Sequence, residues 1–377
     1  MPAPVIVDAA RTPYGKRGGV LASWHPAELL GLAQADLCKR AGIDPAEIGE
    51  IIGGCVTQAG EQAGHIVRTA WLHAGLPEET GATTIDAQCG SAQQSVHLVA
   101  AQIAAGAIDA GLACGVEAMS RVPLRANIGE GIGSPRPDSW AIDLPAQYEA
   151  ADRIARRRGF TRAEIDAFGL RSQQRARAAW DAGRLDRQIL PVPTADGGTM
   201  TVDEGLRETS MSALAGLRPI LGDGLHTAGT ASQISDGASA ALLVEEGRAR
   251  AIGLRPRARI LAHCLVGAEP RYLLDGPVRA AERLLDRTGT TIADFDLFEV
   301  NEAFAAVPMS FARAHDVDPE KLNVNGGAIA VGHPVGSSGI RLLATIIDEL
   351  ERRDQTLGLV AVCAGGAMAT GAVIERI

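Results

Sequence analysis

The chain is poor in aromatic side chains, with Phe, Trp and Tyr making up 3% of 377 residues. A core filled by large rings is excluded, and small residues, among them 44 glycines, must do much of the packing. Positive charge is also in deficit: 36 Lys and Arg stand against 45 Asp and Glu, for a net charge of -9. No broad electrostatic attraction for nucleic acid or an anionic membrane follows from that balance. Cysteine occurs six times, at 38, 55, 89, 114, 264 and 363, never as CxxC and never at short regular spacing. Neither a disulfide framework nor a zinc site is indicated, and no metal is expected. GxGxxG and GxxxxGK[ST] are missing, which disfavours hydride transfer on the usual dinucleotide loop and phosphate-loop chemistry. The N-terminus shows no basic segment followed by an apolar core, so a cytoplasmic location is expected. The one long uncharged run, 357–374, is broken by Gly358, Gly365, Gly366 and Gly371. It reads as two buried strands, 357–362 and 369–374, joined by a glycine turn rather than as a membrane helix.

What is present is a long-range repeat. The chain is too long for one ordinary core, so two or three packed substructures are expected. Arg40, Gly42 and Ala46 coincide with Arg287, Gly289 and Ala293 at a shift of 247. In each copy an apolar-periodic helix ends at an Arg-x-Gly cap, and an apolar strand then leads into a polar loop. The same shift, drifting by a residue or two, lays Cys89 near Val335 and Cys114 on Cys363. Strands and helices alternate: strand 4–8, helix from about 27, strand 51–55, helix 63–74, strand 83–87 and helix 91–105. The reading is two duplicated α/β halves with mixed or parallel sheets. The first half comprises 1–117 plus 232–254 and the second 255–377. An inserted loop domain, 118–231, lies between them, with a glycine-rich loop at 129–137 and a charged helix near 153–158.

Four residues stand out as chemistry. Cys89 follows an apolar strand and directly precedes a helix, where unpaired N–H groups and the dipole favour a thiolate and lower the thiol pKa. His333 sits in the glycine-dense Asn323–Gly339 stretch, stiffened by Pro334. Cys363 lies where a strand runs into Gly365-Gly366; as an isolated thiol it reads equally as core filler. Asn301, in Phe298-Glu-Val-Asn-Glu-Ala-Phe304, could simply cap the next helix. All four fall on loops or ends after strands, where α/β folds assemble sites.

Gln88-Cys-Gly-Ser91, Asn301-Glu-Ala-Phe304, Gly326-Gly-Ala-Ile-Ala-Val-Gly-His-Pro334 and Cys363-Ala-Gly-Gly366 resemble, in order, the four active-site blocks of the thiolases. Residues 227–238 resemble the family's coenzyme A loop, and Val7-Asp-Ala-Ala-Arg-Thr-Pro13 its opening strand, so the resemblance covers essentially the whole chain. It implies a thiolase-like fold with its halves layered α/β/α/β/α. By resemblance Cys89 is the acylated nucleophile, His333 takes its proton, and Cys363 exchanges the proton on the α-carbon. Two thiols suit that chemistry, since one must form a labile thioester and the other must act as acid and base on carbon. The resemblance gives one oxyanion site to His333 with a water held by Asn301, and another to the N–H groups of Cys89 and Gly365. Coenzyme A is implied as co-substrate, with no permanently bound cofactor. Arg207 would meet its adenine and phosphate end, Ser232 its pantetheine, and Ala228, Ala303 and Phe304 would line the tunnel. Acyl-CoA is the expected partner, together with a second copy of the chain in a homodimer or homotetramer. Arg156, Arg157 and Arg158 read as a solvated helix face.

Some residues depart from the pattern. The His-Met-Gly triplet of many biosynthetic relatives is missing near Gln147-Tyr148-Glu149, and Ala92 stands where Gly is commoner. The Gln93-Gln94 pair, 143–151 and Ala268-Glu-Pro270 resemble most closely the actinobacterial thiolases that shorten sterol-derived acyl-CoAs. The expected activity is therefore degradative acyl transfer on a bulky or steroid side-chain 3-ketoacyl-CoA. Its alternatives are short-chain acetyl-CoA C-acetyltransferase activity and a catalytically idle acyl-CoA-binding subunit. Condensing enzymes of the same fold usually lack a second reactive Cys in Cys-Ala-Gly-Gly, and a Cys-His hydrolase would release free acid without coenzyme A.

Overall fold

The computed structural model describes residues 2–128 and 133–377. The first half runs β1 (Pro4–Arg11), β2 (Gly15–Lys16), α1 (Pro26–Ala41), β3 (Glu50–Gly54), α2 (Ile66–His73), β4 (Gly81–Ile85), α3 (Ser91–Ala104) and β5 (Ala110–Ala118). A middle stretch adds α4 (Gln147–Arg158), α5 (Arg162–Asp181), the small hairpin of β6 (Val192–Pro193) and β7 (Thr199–Met200), and α6 (Met211–Ala215). Next come β8 (Ser235–Glu245) and α7 (Glu246–Ala251). The second half follows with β9 (Ala258–Gly267), α8 (Gly276–Thr288), β10 (Leu297–Val300), α9 (Ala306–His315), α10 (Ala328–Val331), α11 (Ser338–Arg353), β11 (Leu357–Ala364) and β12 (Met368–Arg376). Of the glycine-rich loop expected at 129–137, residues 129–132 lie outside the described residues. Among the described residues no helix is long and apolar enough to cross a membrane.

The repeat is visible in the strand order. The first half reads β3-β5-β8-β1 and the second β10-β11-β12-β9, with β4 added outside β3. In each half the first pair is parallel and the next two are antiparallel. Both Arg-x-Gly caps form as expected, Gly42 closing α1 at φ 75° and Gly289 closing α8 at φ 68°. The halves meet edge to edge through Val5–Arg259 and Ile6–Ala258 of β1 and β9, which joins them into one ten-stranded sheet.

Register corrects one pairing. Glu50 faces Gly111 in the first half and Leu297 faces Gly358 in the second, so the shift in the sheet is a constant 247. Cys114 then corresponds to Ala361, and Cys363 to Val116. The sequence match of Cys114 with Cys363 is out by two residues. The reason lies at the strand ends: β11 turns back at once through Gly365 and Gly366, whereas β5 stays paired as far as Ala118–Asp236.

Small side chains let the layers close. Leu30 and Trp71 of α1 and α2 pack on Ile51 and Leu112, on one face of the first sheet. Leu284 and Phe311 of α8 and α9 pack on Phe298 and Leu359, on the far face of the second. Between the sheets lie α3 and α11, whose Val96, Val99, Ile340 and Leu343 share one core with Leu243 and Val360. This is the α/β/α/β/α layering. Gly339 opens α11 directly against α3, where a Cβ would collide with the backbone of Gln93. Burial of such a helix pair against both sheets is the main stabilising term for a core of small aliphatic residues.

The middle stretch is tied down by charge. Arg11 of β1 grips Asp203, wholly buried, with Nη2 2.9 Å from Oδ2, and the same carboxylate accepts from the backbone N–H of Tyr14 at 2.7 Å and Trp180 Nε1 at 3.2 Å. A buried carboxylate is tolerated here because every donor around it is aimed at it. The α4 arginines are likewise engaged rather than simply solvated. Arg156 meets Asp223, Arg157 meets Glu269, and Arg158 donates to Ser310 Oγ at 2.9 Å.

Candidate active site

Cys89 sits one residue before Gly90, the N-cap of α3. The turn that delivers it is built from short side chains: Ser91 Oγ accepts from the Ala87 N–H at 2.9 Å and donates to the Gln88 carbonyl at 2.6 Å, while Gln88 takes φ 54°. Cys89 is 5% exposed. Burial pushes its thiol up to about 12, against the N–H of Gly365, which donates to the sulfur and lowers it, while Glu117 and Asp86 push it further up. This reverses the expectation of a lowered thiol pKa, because desolvation outweighs the helix N-terminus. Burial favours the neutral form of the Cys89 thiol.

His333 and Asn301 are both buried, and the structure brings them together: Asn301 Nδ2 lies 3.2 Å from His333 Nε2. His333 Nδ1 is 2.7 Å from Ser338 Oγ, which donates to the Pro334 carbonyl at 2.9 Å. That chain places the ring proton on Nδ1 and leaves the Nε2 lone pair as acceptor. Asn301 is oriented in turn by Arg341 of α11, whose Nη2 donates to Asn301 Oδ1 at 3.5 Å and whose Nη1 reaches Glu299 Oε2 at 3.4 Å. Asn301 therefore caps no helix; its side chain is spent on the histidine.

Burial lowers His333 to about 3, the Arg341 charge acting in the same direction, and burial also holds His97 of α3 well below its ordinary value. An unfolded histidine takes up a proton near pH ~6.5, so below that the unfolded chain binds protons that the folded chain refuses. Stability therefore falls as pH drops. The expected result is a melting temperature that declines from about pH 6.5 downward, with a shallower decline in His97→Gln; a slope unchanged by that substitution contradicts the assignment.

Cys363 is fully buried at the end of β11, and burial raises its thiol well above the ordinary value, with Cys89 adding to the rise. The two sulfurs thus sense one another, each thiolate disfavouring the other. Gly365 follows on the tight return into β12, and a Cβ there would stand 2.7 Å from Gln88 Oε1. The opposite side is fixed by Glu117, a buried carboxylate that accepts from Val56 and Thr57 N–H at 3.0 Å each, Gln62 Nε2 at 2.9 Å and Gly336 N–H at 3.1 Å. One side chain thereby ties the loop after β3 to the histidine loop. A cavity of about 1000 Å³ opens at Cys89, with Val56, Gln88, Leu144, Leu273, Val335 and Gly365 among its walls.

The family model described as Thiolase, N-terminal domain, matches residues 4–247, and Thiolase, C-terminal domain, matches 254–376. The chain belongs to the thiolase family. It is 44% identical to a steroid 3-ketoacyl-CoA thiolase of Mycobacterium tuberculosis, over 99% of this chain and 94% of that protein. It is 40% identical to a 3-ketoacyl-CoA thiolase of Shewanella denitrificans, over 99% of both. Among solved structures, human mitochondrial 3-ketoacyl-CoA thiolase superposes with a TM-score of 0.91 at 34% identity, covering 100% of this chain and 99% of that one. Acetyl-CoA acetyltransferase of Bacillus anthracis superposes with a TM-score of 0.91 at 35% identity and the same coverage. The thiolase fold and acyltransferase class expected from the motifs are those of the relatives.

The residues read as this thiolase's coenzyme A contacts form a second group. Arg207 Nη2 reaches the Ala228 carbonyl at 3.5 Å, Ser232 N–H donates to the Ala303 carbonyl at 2.9 Å, and Ala231 bridges to Phe304. These contacts join Arg207 to the 228–232 loop and that loop to Ala303 and Phe304. None of these five residues lines the cavity at Cys89, and nor do His333, Asn301 and Cys363. Ala303 and Phe304 are nearly closed off; the Phe304 ring packs edge-on against Tyr148 at 4.8 Å and His226 at 5.7 Å, so it backs a wall. Sequence reasoning missed Glu117 and Arg341. Glu117 carried a signal, being the one charge in the otherwise apolar strand β5, which folds retain only with dedicated partners; Arg341 shares its helix face with Thr345, Asp348 and Glu349 and carried none.

Proposed function

We propose that this thiolase cleaves bulky 3-ketoacyl-CoA esters in the degradative direction, a steroid side-chain ester being the model substrate. The observation that carries the reading is the roomy cavity at Cys89, about 1000 Å³, with Leu124, Leu144 and Leu273 among its walls. The likeness to a steroid 3-ketoacyl-CoA thiolase supports the same substrate class. Attack by Cys89 on the 3-keto carbon breaks the bond to the α-carbon, and the acetyl-CoA enolate takes a proton from Cys363. Because burial favours the neutral form of both the thiol and His333, the sulfur proton passes to His333 Nε2 as the C–S bond forms rather than beforehand. Developing negative charge on oxygen is met by the Gly365 and Cys89 N–H groups on one side, and by His333 with a water held on Asn301 on the other. Coenzyme A, the co-substrate, then takes the acyl group; Arg207, Ala228, Ser232, Ala303 and Phe304 are its contacts.

Residues 1–117 with 232–254, and 255–377, act as the two catalytic halves, and 118–231 shapes the acyl pocket. The working form is a homodimer or homotetramer in the cytoplasm. Strand β4 supports the assembly: it ends the sheet four residues before Cys89, and every one of its residues is at least partly exposed, as an edge awaiting a partner strand is. Mass spectrometry of protein exposed, without free coenzyme A, to acetoacetyl-CoA and to a sterol-side-chain 3-ketoacyl-CoA tests the reading. A large shortened acyl group on Cys89, with acetyl-CoA released, is expected. An acetyl adduct from the first substrate alone means a short-chain acetyltransferase, a reading favoured by the likeness to the Bacillus enzyme. No adduct from either means an idle acyl-CoA-binding subunit.

A further inference from the structure

Among the described residues that line the cavity at Cys89, the charged side chains are of one sign. Two guanidiniums, Arg125 and Arg136, stand on it, and among its described lining residues there is no aspartate or glutamate. This runs against a chain whose net charge is -9. It also runs against the habit of nearby arginines: Arg121 is paired with Glu61, Arg153 with Asp143 and Glu149, and Arg157 with Glu269. Arg136 instead gives one N–H to the Leu144 carbonyl at 3.4 Å and lies 5.3 Å from the centre of the Trp140 ring, contacts that orient a cation without neutralising it. Arg125 holds φ 71°, an uncommon conformation for a residue with a side chain, which the surrounding chain has to impose.

We propose that Arg125 and Arg136 receive a carboxylate at the far end of the acyl group, so that the preferred substrate is a 3-ketoacyl-CoA whose acyl chain is itself an acid. The proposal rests on the thiolase reading of Cys89 and narrows its substrate class. Leu124, Ile128, Leu144 and Leu273 line the same cavity, so its chemistry matches a hydrocarbon spacer ending in an anion. Guanidinium suits that anion, since its planar donors fit a carboxylate two at a time. The phosphates of coenzyme A are the other anions in the reaction, but the residues assigned to coenzyme A, Arg207 and Ser232 among them, do not line this cavity.

The test compares two esters of equal chain length, 3-oxosebacoyl-CoA and the neutral 3-oxodecanoyl-CoA, on the wild-type enzyme and on Arg125→Gln and Arg136→Gln. Both arginines are exposed, so the variants should fold normally, as a thermal melt would verify. The wild type is expected to favour the acid roughly tenfold or more in kcat/KM, mostly through KM, and each variant to lose most of that preference while its rate on the neutral ester stays the same. Added salt should erode the preference, as it does for any partly exposed ion pair. Equal kcat/KM for the two esters overturns the proposal. So does an equal loss on both in the variants, which would place the guanidiniums on a group common to both, the coenzyme A phosphates. Acylation of Cys89 by the neutral ester is read in parallel: if it occurs without any preference for the acid, the thiolase reading survives and only this proposal falls, whereas no acylation by either ester removes both.

Discussion

Cys89→Ala should leave a folded protein that takes up no acyl group from any 3-ketoacyl-CoA and turns over about 10⁶-fold more slowly, the order seen when a nucleophile of a catalytic unit is deleted. The expectation follows from the geometry. No other thiol among the described residues lines the cavity of about 1000 Å³. Cys363, the neighbour in charge, is buried at the end of β11 and held protonated by burial. Intact-protein mass spectrometry and a thiolysis assay check the prediction together. An acyl adduct surviving in the variant would move the nucleophile elsewhere. The fold should be little affected, since the substitution takes a single sulfur from the wall of an open cavity and leaves at most the Gly365 N–H without that partner, at a cost of about 1–3 kcal/mol.

Cys363→Ala separates the two halves of the reaction. Formation of the acyl-enzyme from a simple acyl-CoA needs only Cys89, His333 and the oxyanion donors, and should persist. Cleavage or formation of the carbon–carbon bond needs a proton delivered to or taken from the α-carbon, and should fall by about 10²–10⁴-fold, the range that a positioned general acid or base supplies. The two activities are read side by side, as acyl exchange between coenzyme A species and as release of acetyl-CoA from the 3-ketoacyl ester. Unchanged carbon–carbon cleavage would remove Cys363 from the mechanism. A parallel loss of acyl-enzyme formation would show instead that the substitution disturbs the return through Gly365 and Gly366, on which the Cys89 sulfur depends.

Much of this architecture was readable from residue types. The helix caps at Gly42 and Gly289 and the apolar strands that follow them gave the duplication, because a left-handed cap and a period-two apolar run are local properties. The exact shift was blurred where composition imitates repetition, as in the match of Cys114 with Cys363, since only hydrogen-bond register separates a true counterpart from one two residues away on the same face. The positions of Cys89, His333, Asn301 and Cys363 were legible because each sits where an element ends. Their protonation was not. The thiol rises and the imidazole falls through desolvation, which depends on what the other half of the chain packs over them. The same is true of Arg341 and Glu117, whose partners lie 40 to 219 residues away in sequence.

The constant register of the two halves bears on how such a site could arise. Counting 247 residues across the repeat, Cys89 stands opposite Gly336, His333 opposite Asp86, Asn301 opposite Gly54 and Cys363 opposite Val116. Every reacting group has a twin that does none of its chemistry. Two identical half-chains assembled as a pair would have had to carry each group twice, with a second asparagine at Gly54 and a second cysteine at Gly336, where a Cβ already collides with neighbouring backbone. Joining the copies in one polypeptide released each from that obligation. One copy could keep the nucleophile and the other the acid, base and oxyanion donors, and the catalyst became the difference between two structures that otherwise remain the same.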